Sequence, residues 1–230
     1  MTQERKTVGL LSGAYAVLRK ELQTELRDRA ALNATLLFSV AGLAIVAYGV
    51  GPAVLPAVVQ SALLWVVLFF AAFSGLAHVF THEEEAGTSA FLRLTADAHA
   101  VYLGKLLFNL LLTALIALIT VPAGLVAVSA SPDRPWMFAA VALAGVLALA
   151  TSATVVAAII ARAQGRGALF GAVGLPLLLP VLLIAVDATK NTLEPEMIAG
   201  LAGREIVGLC AFAVMVIAAS WLVFPAVWEE

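Results

Sequence analysis

The chain has 230 residues, of which 63% are hydrophobic and 12% are charged, and its mean hydropathy is +1.04. A soluble domain carries about 25% charged residues and could not bury so much apolar surface. The composition therefore excludes a soluble protein and predicts an integral membrane protein. The net charge of -2 and the sequence as a whole give no indication of nucleic-acid binding.

The N-terminal segment is charged, with ten ionisable residues among the first 29, unlike the apolar core of a signal peptide. The first hydrophobic span is therefore expected to direct insertion. Within this segment, residues 10–29 carry one apolar stripe at helical spacing: Leu11, Tyr15, Leu18, Leu22 and Leu26. The stripe predicts an amphipathic helix in the cytoplasmic membrane interface. Burial of the stripe against another helix of the protein explains it equally well, and the two are compatible.

Long runs without Asp, Glu, Lys or Arg predict six transmembrane helices, because about 20 apolar residues cross a hydrocarbon core of about 30 Å. The predicted spans are 30–48, 57–78, 104–128, 136–161, 167–187 and 206–228. They are expected to form a single transmembrane domain over residues 1–230, with a long loop at 79–103 and an extracytoplasmic segment at 187–205. In that outer segment, Met197, Ile198 and Leu201 could form a short helix that dips toward the membrane.

Basic residues orient these spans, since Lys and Arg concentrate in cytoplasmic loops. With both termini in the cytoplasm, ten of the 13 Lys and Arg residues lie inside and three outside. The same arrangement places four aromatic residues at span ends, as an interfacial belt would: Tyr48, Tyr102, Trp136 and Trp228. Trp65 falls within a span and is interpreted as a packing residue.

The fifth span contains Pro176 and Pro180, with Gly167, Gly171 and Gly174 ahead of them. Proline removes a backbone donor and kinks a helix, so this span could bend in the working protein. Small residues also let helices approach closely. Tight packing is the preferred interpretation, and bending remains the alternative.

The sequence lacks the motifs of several function classes. It has neither the G-x-x-x-x-G-K-[ST] loop that holds ATP nor a G-x-G-x-x-G fingerprint. The spans carry few ionisable residues away from their ends, which argues against an ion-coupled carrier. The chain is therefore expected to have no catalytic, cofactor or metal site of its own and to draw its energy from elsewhere.

The three histidines and the single cysteine give only weak metal signals. His78 and His82 share a helix face, but two ligands without a third do not predict a site. His99 stands alone in the loop. Cys210 lies in an apolar run and is expected to be a small buried side chain.

The loop at 79–103 is longer than a connection requires. Glu83, Glu84 and Glu85 precede a Gly-Thr break at 87–88 and an apolar stretch that includes Phe91 and Leu92. The carboxylates are expected to head a short helix, where the macrodipole favours them. Lys105 is expected to extend its side chain to the interface at the start of the next span. An acidic, partly apolar segment of this kind suits docking into a cleft of a soluble partner.

The residues "THEEEAGTSAFLRLTADAHAVYLGKLLFNLLL" resemble the loop between the second and third spans of ABC-2-type exporter permeases. "LLWVVLFFAAFSGLAHVFTHEEEAGT" and "AVYLGKLLFNLLL" resemble more closely the CcmB family, the permease subunit of the cytochrome c maturation system. Length, span number and the N-terminal helix fit that family from end to end. Ala96-Asp97 departs from it, because its members often have a proline there.

The resemblance implies a permease in the bacterial cytoplasmic (inner) membrane that pairs with the ATPase CcmA and with a second copy of itself. CcmC, CcmD and the haem chaperone CcmE are the further implied partners, beside membrane lipids. The implied coupling residues are Glu83, Glu84, Glu85, Gly87, Thr88, Phe91 and Leu92. The implied function is haem export, or release of haem-loaded CcmE, driven by the partner's ATP hydrolysis. An ABC-2 exporter of a lipid-linked glycan or a drug is the alternative, and a membrane scaffold is a third interpretation.

Overall fold

The computed structural model describes residues 9–51, 54–85, 97–160, 166–194 and 199–229. In these ranges the chain forms helices joined by turns, and helices α2 to α7 each contain a stretch long and apolar enough to cross a membrane. The helices are α1 Leu10–Asp28, α2 Ala30–Val50, α3 Ala57–Glu85, α4 Ala98–Ala127, α5 Pro135–Ile160, α6 Arg166–Leu193 and α7 Ala199–Glu229. The predicted all-α fold with six spans and an N-terminal helix is confirmed.

Several helices extend beyond the charge-free runs that predicted them. Helix α3 continues past residue 78 to Glu85, and α4 begins at Ala98 rather than at 104. The expected outer segment at 187–205 is mostly helical, because α6 continues to Leu193 and α7 already begins at Ala199. Leu201 therefore belongs to α7 and not to a separate short helix, while Met197 and Ile198 lie outside the described residues. Hydropathy marks the hydrocarbon core, whereas a helix also continues through polar residues beyond it.

Helix α5 lies at the centre of the bundle and packs against α3, α4, α6 and α7. Trp65 of α3 fills a space beside α5 that exists because residue 145 is glycine, whose added Cβ would collide with the indole. The indole Nε1 donates a hydrogen bond of 2.8 Å to Thr189 Oγ1 of α6. Trp65 therefore joins three helices in the core, which confirms it as a packing residue.

Helix α6 runs without a break through Pro176 and Pro180, both of which are exposed. A Cβ on Gly174 would lie 3.0 Å from the Phe73 ring of α3 and 3.1 Å from Val156 of α5. Close packing is thus observed at Gly174, as the preferred interpretation required. The surroundings of Gly167 and Gly171 lie outside the described side chains.

The helices alternate in direction across the bundle. At one end, Gln60 at the start of α3 donates to the Val128 carbonyl at the end of α4, 3.2 Å away. At the other end, the start of α4 packs against the last turns of α7, where the ring centroids of His99 and Trp221 are 4.4 Å apart. This second end is called the loop end, because the connection between α3 and α4 lies there. The sequence predicts that the loop end faces the cytoplasm.

Candidate functional site

The candidate site lies at the loop end, where α3 ends at Glu85 and α4 begins after Asp97. The backbone at 83–85 belongs to the last turn of α3, so the three glutamates end a long helix instead of heading a short one. Their side chains lie outside the described residues. Gly87, Thr88, Phe91 and Leu92 also lie outside the described ranges, so their assignment to coupling stays a prediction.

Asp97 fixes the point where α4 begins. Its carboxylate accepts hydrogen bonds from the backbone N–H groups of His99 at 3.1 Å and Ala100 at 3.4 Å. An aspartate at this position satisfies donors that have no partner within the helix. The N-cap preference of aspartate was the signal in the sequence that marks residue 98 as the helix start. The departure at Ala96-Asp97 from the resembled pattern thus has a defined structural role.

The first turns of α4 are held tightly by α1. A Cβ on Gly104 would lie 2.6 Å from Val17 Cβ and 2.8 Å from the Ala14 carbonyl oxygen. One turn earlier, a Cβ on Gly13 would lie 2.9 Å from that of Ala100. Only glycine permits this approach, which brings the backbones of the two helices close together.

An ion pair closes this contact between α1 and α4. Lys105 Nζ lies 3.1 Å from Glu21 Oε1, and the exposed fractions of the two side chains are 0% and 7%. Lys20 Nζ lies 3.3 Å from the same carboxylate oxygen. The expectation that Lys105 extends to the interface is wrong, because α1 covers it and supplies its counter-charge. Sequence reasoning could not find this pair, since the two residues are 84 positions apart.

Helix α1 has one buried face and, beside it, one mostly exposed face. Ala14, Val17 and Glu21 are buried against α4. The apolar stripe is mostly exposed instead, with exposed fractions of 77% for Leu11 and 65% for both Tyr15 and Leu26. The face that packs on α4 is therefore distinct from most of the stripe, although Leu18 at the edge of the stripe packs against the core. The described side chains favour the interfacial interpretation of the stripe and add a packing face that the sequence did not reveal.

Helix α7 holds α4 from another direction. The rings of Tyr102 and Phe224 have centroids 5.2 Å apart, and Tyr102 is only 1% exposed. Its assignment to an aromatic belt is wrong, because α7 covers it. Tyr48 and Trp136 are 92% and 66% exposed, as a belt requires, and the side chain of Trp228 lies outside the described residues.

Glu25 ties α1 to the first span. Its Oε1 accepts a hydrogen bond of 2.8 Å from the backbone N–H of Leu32 in α2. Arg29, between the two helices, has a left-handed backbone with φ of 54° and donates from its N–H to the Glu25 carbonyl oxygen. The two acidic side chains Glu21 and Glu25 therefore connect α1 to two different membrane helices.

Polar groups also gather at the far end of the bundle. Asn191 Nδ2 donates to Glu205 Oε1 at 2.7 Å, which joins the end of α6 to the start of α7. Lys190 Nζ lies 3.8 Å from Asp187 Oδ1 one turn away. Within the described ranges, no three His, Cys, Asp or Glu side chains gather as metal ligands would. Cys210 is partly buried, and the side chains of His78 and His82 lie outside the described part.

The candidate site is a junction in which α1 and α7 hold the first turns of α4. The sequence matches the profile of the CcmB protein family over residues 12–227. The chain belongs to the CcmB family. A search of curated proteins gave no match. As a CcmB-family member with six apolar helices among its described residues, the chain is a multi-pass membrane permease subunit of the haem-exporter ABC type.

Proposed function

We propose that this chain couples ATP hydrolysis by the ATPase CcmA to haem export, or to release of the haem-loaded chaperone CcmE, during cytochrome c maturation in the bacterial inner membrane. The observation that carries the proposal is the CcmB-family match over nearly the whole chain. CcmC, CcmD and a second copy of the chain complete the proposed assembly, and ATP with Mg²⁺ is bound by the partner alone.

The route of coupling follows from the junction at the loop end. The loop with Glu83, Glu84 and Glu85 docks into the ATPase, with Gly87 and Thr88 shaping its turn and Phe91 and Leu92 filling an apolar notch. A displacement of that loop reaches Asp97 and the first turn of α4. The close contact at Gly104 and the Lys105–Glu21 pair pass it to α1, and the contact of Glu25 with Leu32 passes it to α2.

Coupling of this kind requires rigid contacts, because soft ones would absorb the displacement. A backbone contact through glycine and a buried ion pair are both rigid in this sense. The same grip serves haem export through the permease and mechanical release of CcmE equally well.

Genetics tests the proposed cargo. Deletion of the gene is expected to abolish the c-type cytochromes, which are detected by haem staining of membrane proteins, and the wild-type gene is expected to restore them. Normal cytochrome levels in the deletion strain would overturn the haem assignment and leave the ABC-2 exporter of a glycan or drug as the alternative. Purification of the chain without any ATPase, from cells that express both, would favour the scaffold.

A further inference from the structure

Helix α4 carries a line of buried polar side chains through the membrane. Asn109, Thr113 and Thr120 are at most 1% exposed, and Tyr102 continues the line toward the loop end. At 100° per residue, these four positions fall within about 40° of one another on the helix surface. From Tyr102 to Thr120 they extend about 27 Å, close to the hydrocarbon thickness of about 30 Å. These side chains are neutral, so they do not form a lining for a charged tetrapyrrole.

Several polar atoms of this line have no hydrogen-bond partner among the described residues. Asn109 Oδ1, Thr113 Oγ1 and Thr120 Oγ1 are buried and make no hydrogen bond to the part of the chain that the structure describes. The Tyr102 hydroxyl lies near Ser220. It makes no hydrogen bond within the described part of the chain. An unsatisfied polar group in an apolar interior costs about 1–3 kcal/mol. Several such groups on one face of one helix need a common explanation.

Other buried hydroxyls in the bundle show how a membrane helix normally satisfies such groups. Ser39, Ser152 and Ser220 each donate to the carbonyl oxygen four residues earlier, at 2.5 to 3.0 Å. Thr113 and Thr120 do not use this local solution. Their hydroxyls instead face the same side as the Asn109 carboxamide.

Asn109 shows what this side faces. Its Nδ2 donates to Thr154 Oγ1 of α5 at 2.9 Å, and Thr154 in turn donates to the Ala150 carbonyl oxygen. The Nδ2 donor of Asn109 therefore makes a hydrogen bond between α4 and α5. Its acceptor Oδ1 has no partner among the described residues. A group that fits this acceptor and the neighbouring hydroxyls must donate hydrogen bonds and be small. Because the side chains of the line are neutral, an ion is not the expected occupant.

We propose that this polar line of α4 binds water molecules and forms a hydrated seam along the buried side of the helix. Buried waters typically make about three hydrogen bonds to polar groups that lack other partners. Water donating to Asn109 Oδ1 and exchanging bonds with the Thr113 and Thr120 hydroxyls satisfies all three groups. The proposal stands independently of the cargo of the complex.

Cysteine labelling tests the seam in the full chain reconstituted in lipid vesicles. The variants are Thr113→Cys and Thr120→Cys in a Cys210→Ser background, probed with a small water-soluble methanethiosulfonate. Such reagents attack the thiolate, which forms only where water reaches the sulfur. Leu112→Cys and Val121→Cys are the matched controls, because each neighbours a test position in depth and is buried in the apolar core.

Both test cysteines are expected to react at least about tenfold faster than their neighbours, since a dry apolar surrounding suppresses the thiolate. Equal, slow labelling at all four positions would overturn the proposal.

Thr113→Val provides a second test, by thermal melting, that does not depend on a cysteine. Valine is expected to lower the melting midpoint if the hydroxyl is hydrated, whereas an unchanged or higher midpoint would show a dry site and contradict the proposal.

Discussion

Lys105 of α4 and Glu21 of α1 form a buried ion pair, with Nζ and Oε1 3.1 Å apart. An ion pair removed from water stabilises a protein only weakly, but loss of one partner leaves a buried charge without its counter-charge. The pair is therefore best understood as a device that fixes α1 in one position on α4. A junction between a docking segment and the spans requires that α1 keep a fixed position on α4, and it does not require a gain in net stability.

Replacement of Glu21 tests the pair. Glu21→Gln is expected to destabilise the chain by about 1–3 kcal/mol, because it removes a charged partner that lies 3.1 Å from the buried Lys105 ammonium. The double variant Glu21→Gln with Lys105→Met is expected to recover a large part of that loss. Melting midpoints of the purified chain in detergent measure both. Strictly additive losses in the two single variants and the double variant would show that the pair is not coupled.

Gly104 provides a test of the close contact between α1 and α4. Gly104→Ala places a methyl group 2.6 Å from Val17 Cβ, so it is expected to cost about 1–3 kcal/mol even though alanine favours helices. Gly208→Ala in α7 is the matched control, since its added Cβ meets nothing within 4 Å. The control is expected to be neutral or stabilising in the same melting experiment. A Gly104→Ala variant as stable as the control would contradict the observed contact.

The exposed stripe of α1 is expected to contact lipid. A fluorophore on Tyr15→Cys, in a Cys210→Ser background, is expected to be quenched strongly by brominated phospholipids in vesicles. Arg27→Cys lies about 120° away from Tyr15 around the helix and serves as the control with weak quenching. Equal quenching at the two positions would mean that the stripe does not define the membrane side of α1.

The hydrogen bond of Trp65 with Thr189 fixes α3 to α6 in the core. Thr189→Val removes the acceptor while keeping the side-chain shape, and it leaves a buried indole N–H without this partner. The expected loss of stability is about 1–3 kcal/mol. Thr24→Val, at a partly buried hydroxyl that bonds only within α1 in the described structure, is the control and is expected to change stability less. A neutral Thr189→Val would show that the indole finds another acceptor.

The sequence predicted the number of spans and their apolar centres, because each span needs an uninterrupted apolar run. It did not predict where α3 ends or where α4 begins, since these helices continue beyond the hydrocarbon and α4 is started by the Asp97 cap. The cap could have been found from the N-cap preference of aspartate.

Contacts between residues distant in sequence were not predictable from periodicity. Tyr102 has the composition and place of a belt residue, yet Phe224 of α7 covers it. The Glu21–Lys105 pair joins a helix outside the spans to one inside them, and no local pattern marks such partners. The polar line of α4 was present in the sequence at helical spacing, but neutral Asn and Thr do not interrupt hydropathy. A search for polar residues at intervals of seven and four would have revealed it.

We propose that a separate ATPase binds the acidic end of α3 together with the segment that joins it to α4. The direct measurement is co-purification of CcmA with the tagged chain from cells that express both proteins. Glu84→Lys with Glu85→Lys is expected to reduce the recovered ATPase by about tenfold, because reversed charges that meet basic residues cost several kcal/mol. Asp133→Lys with Glu194→Lys, two charge reversals at the far end, is the control and is expected to retain the ATPase at the wild-type ratio. Full recovery of the ATPase with the Glu84 and Glu85 variant, in a chain that still inserts and melts normally, would contradict the claim.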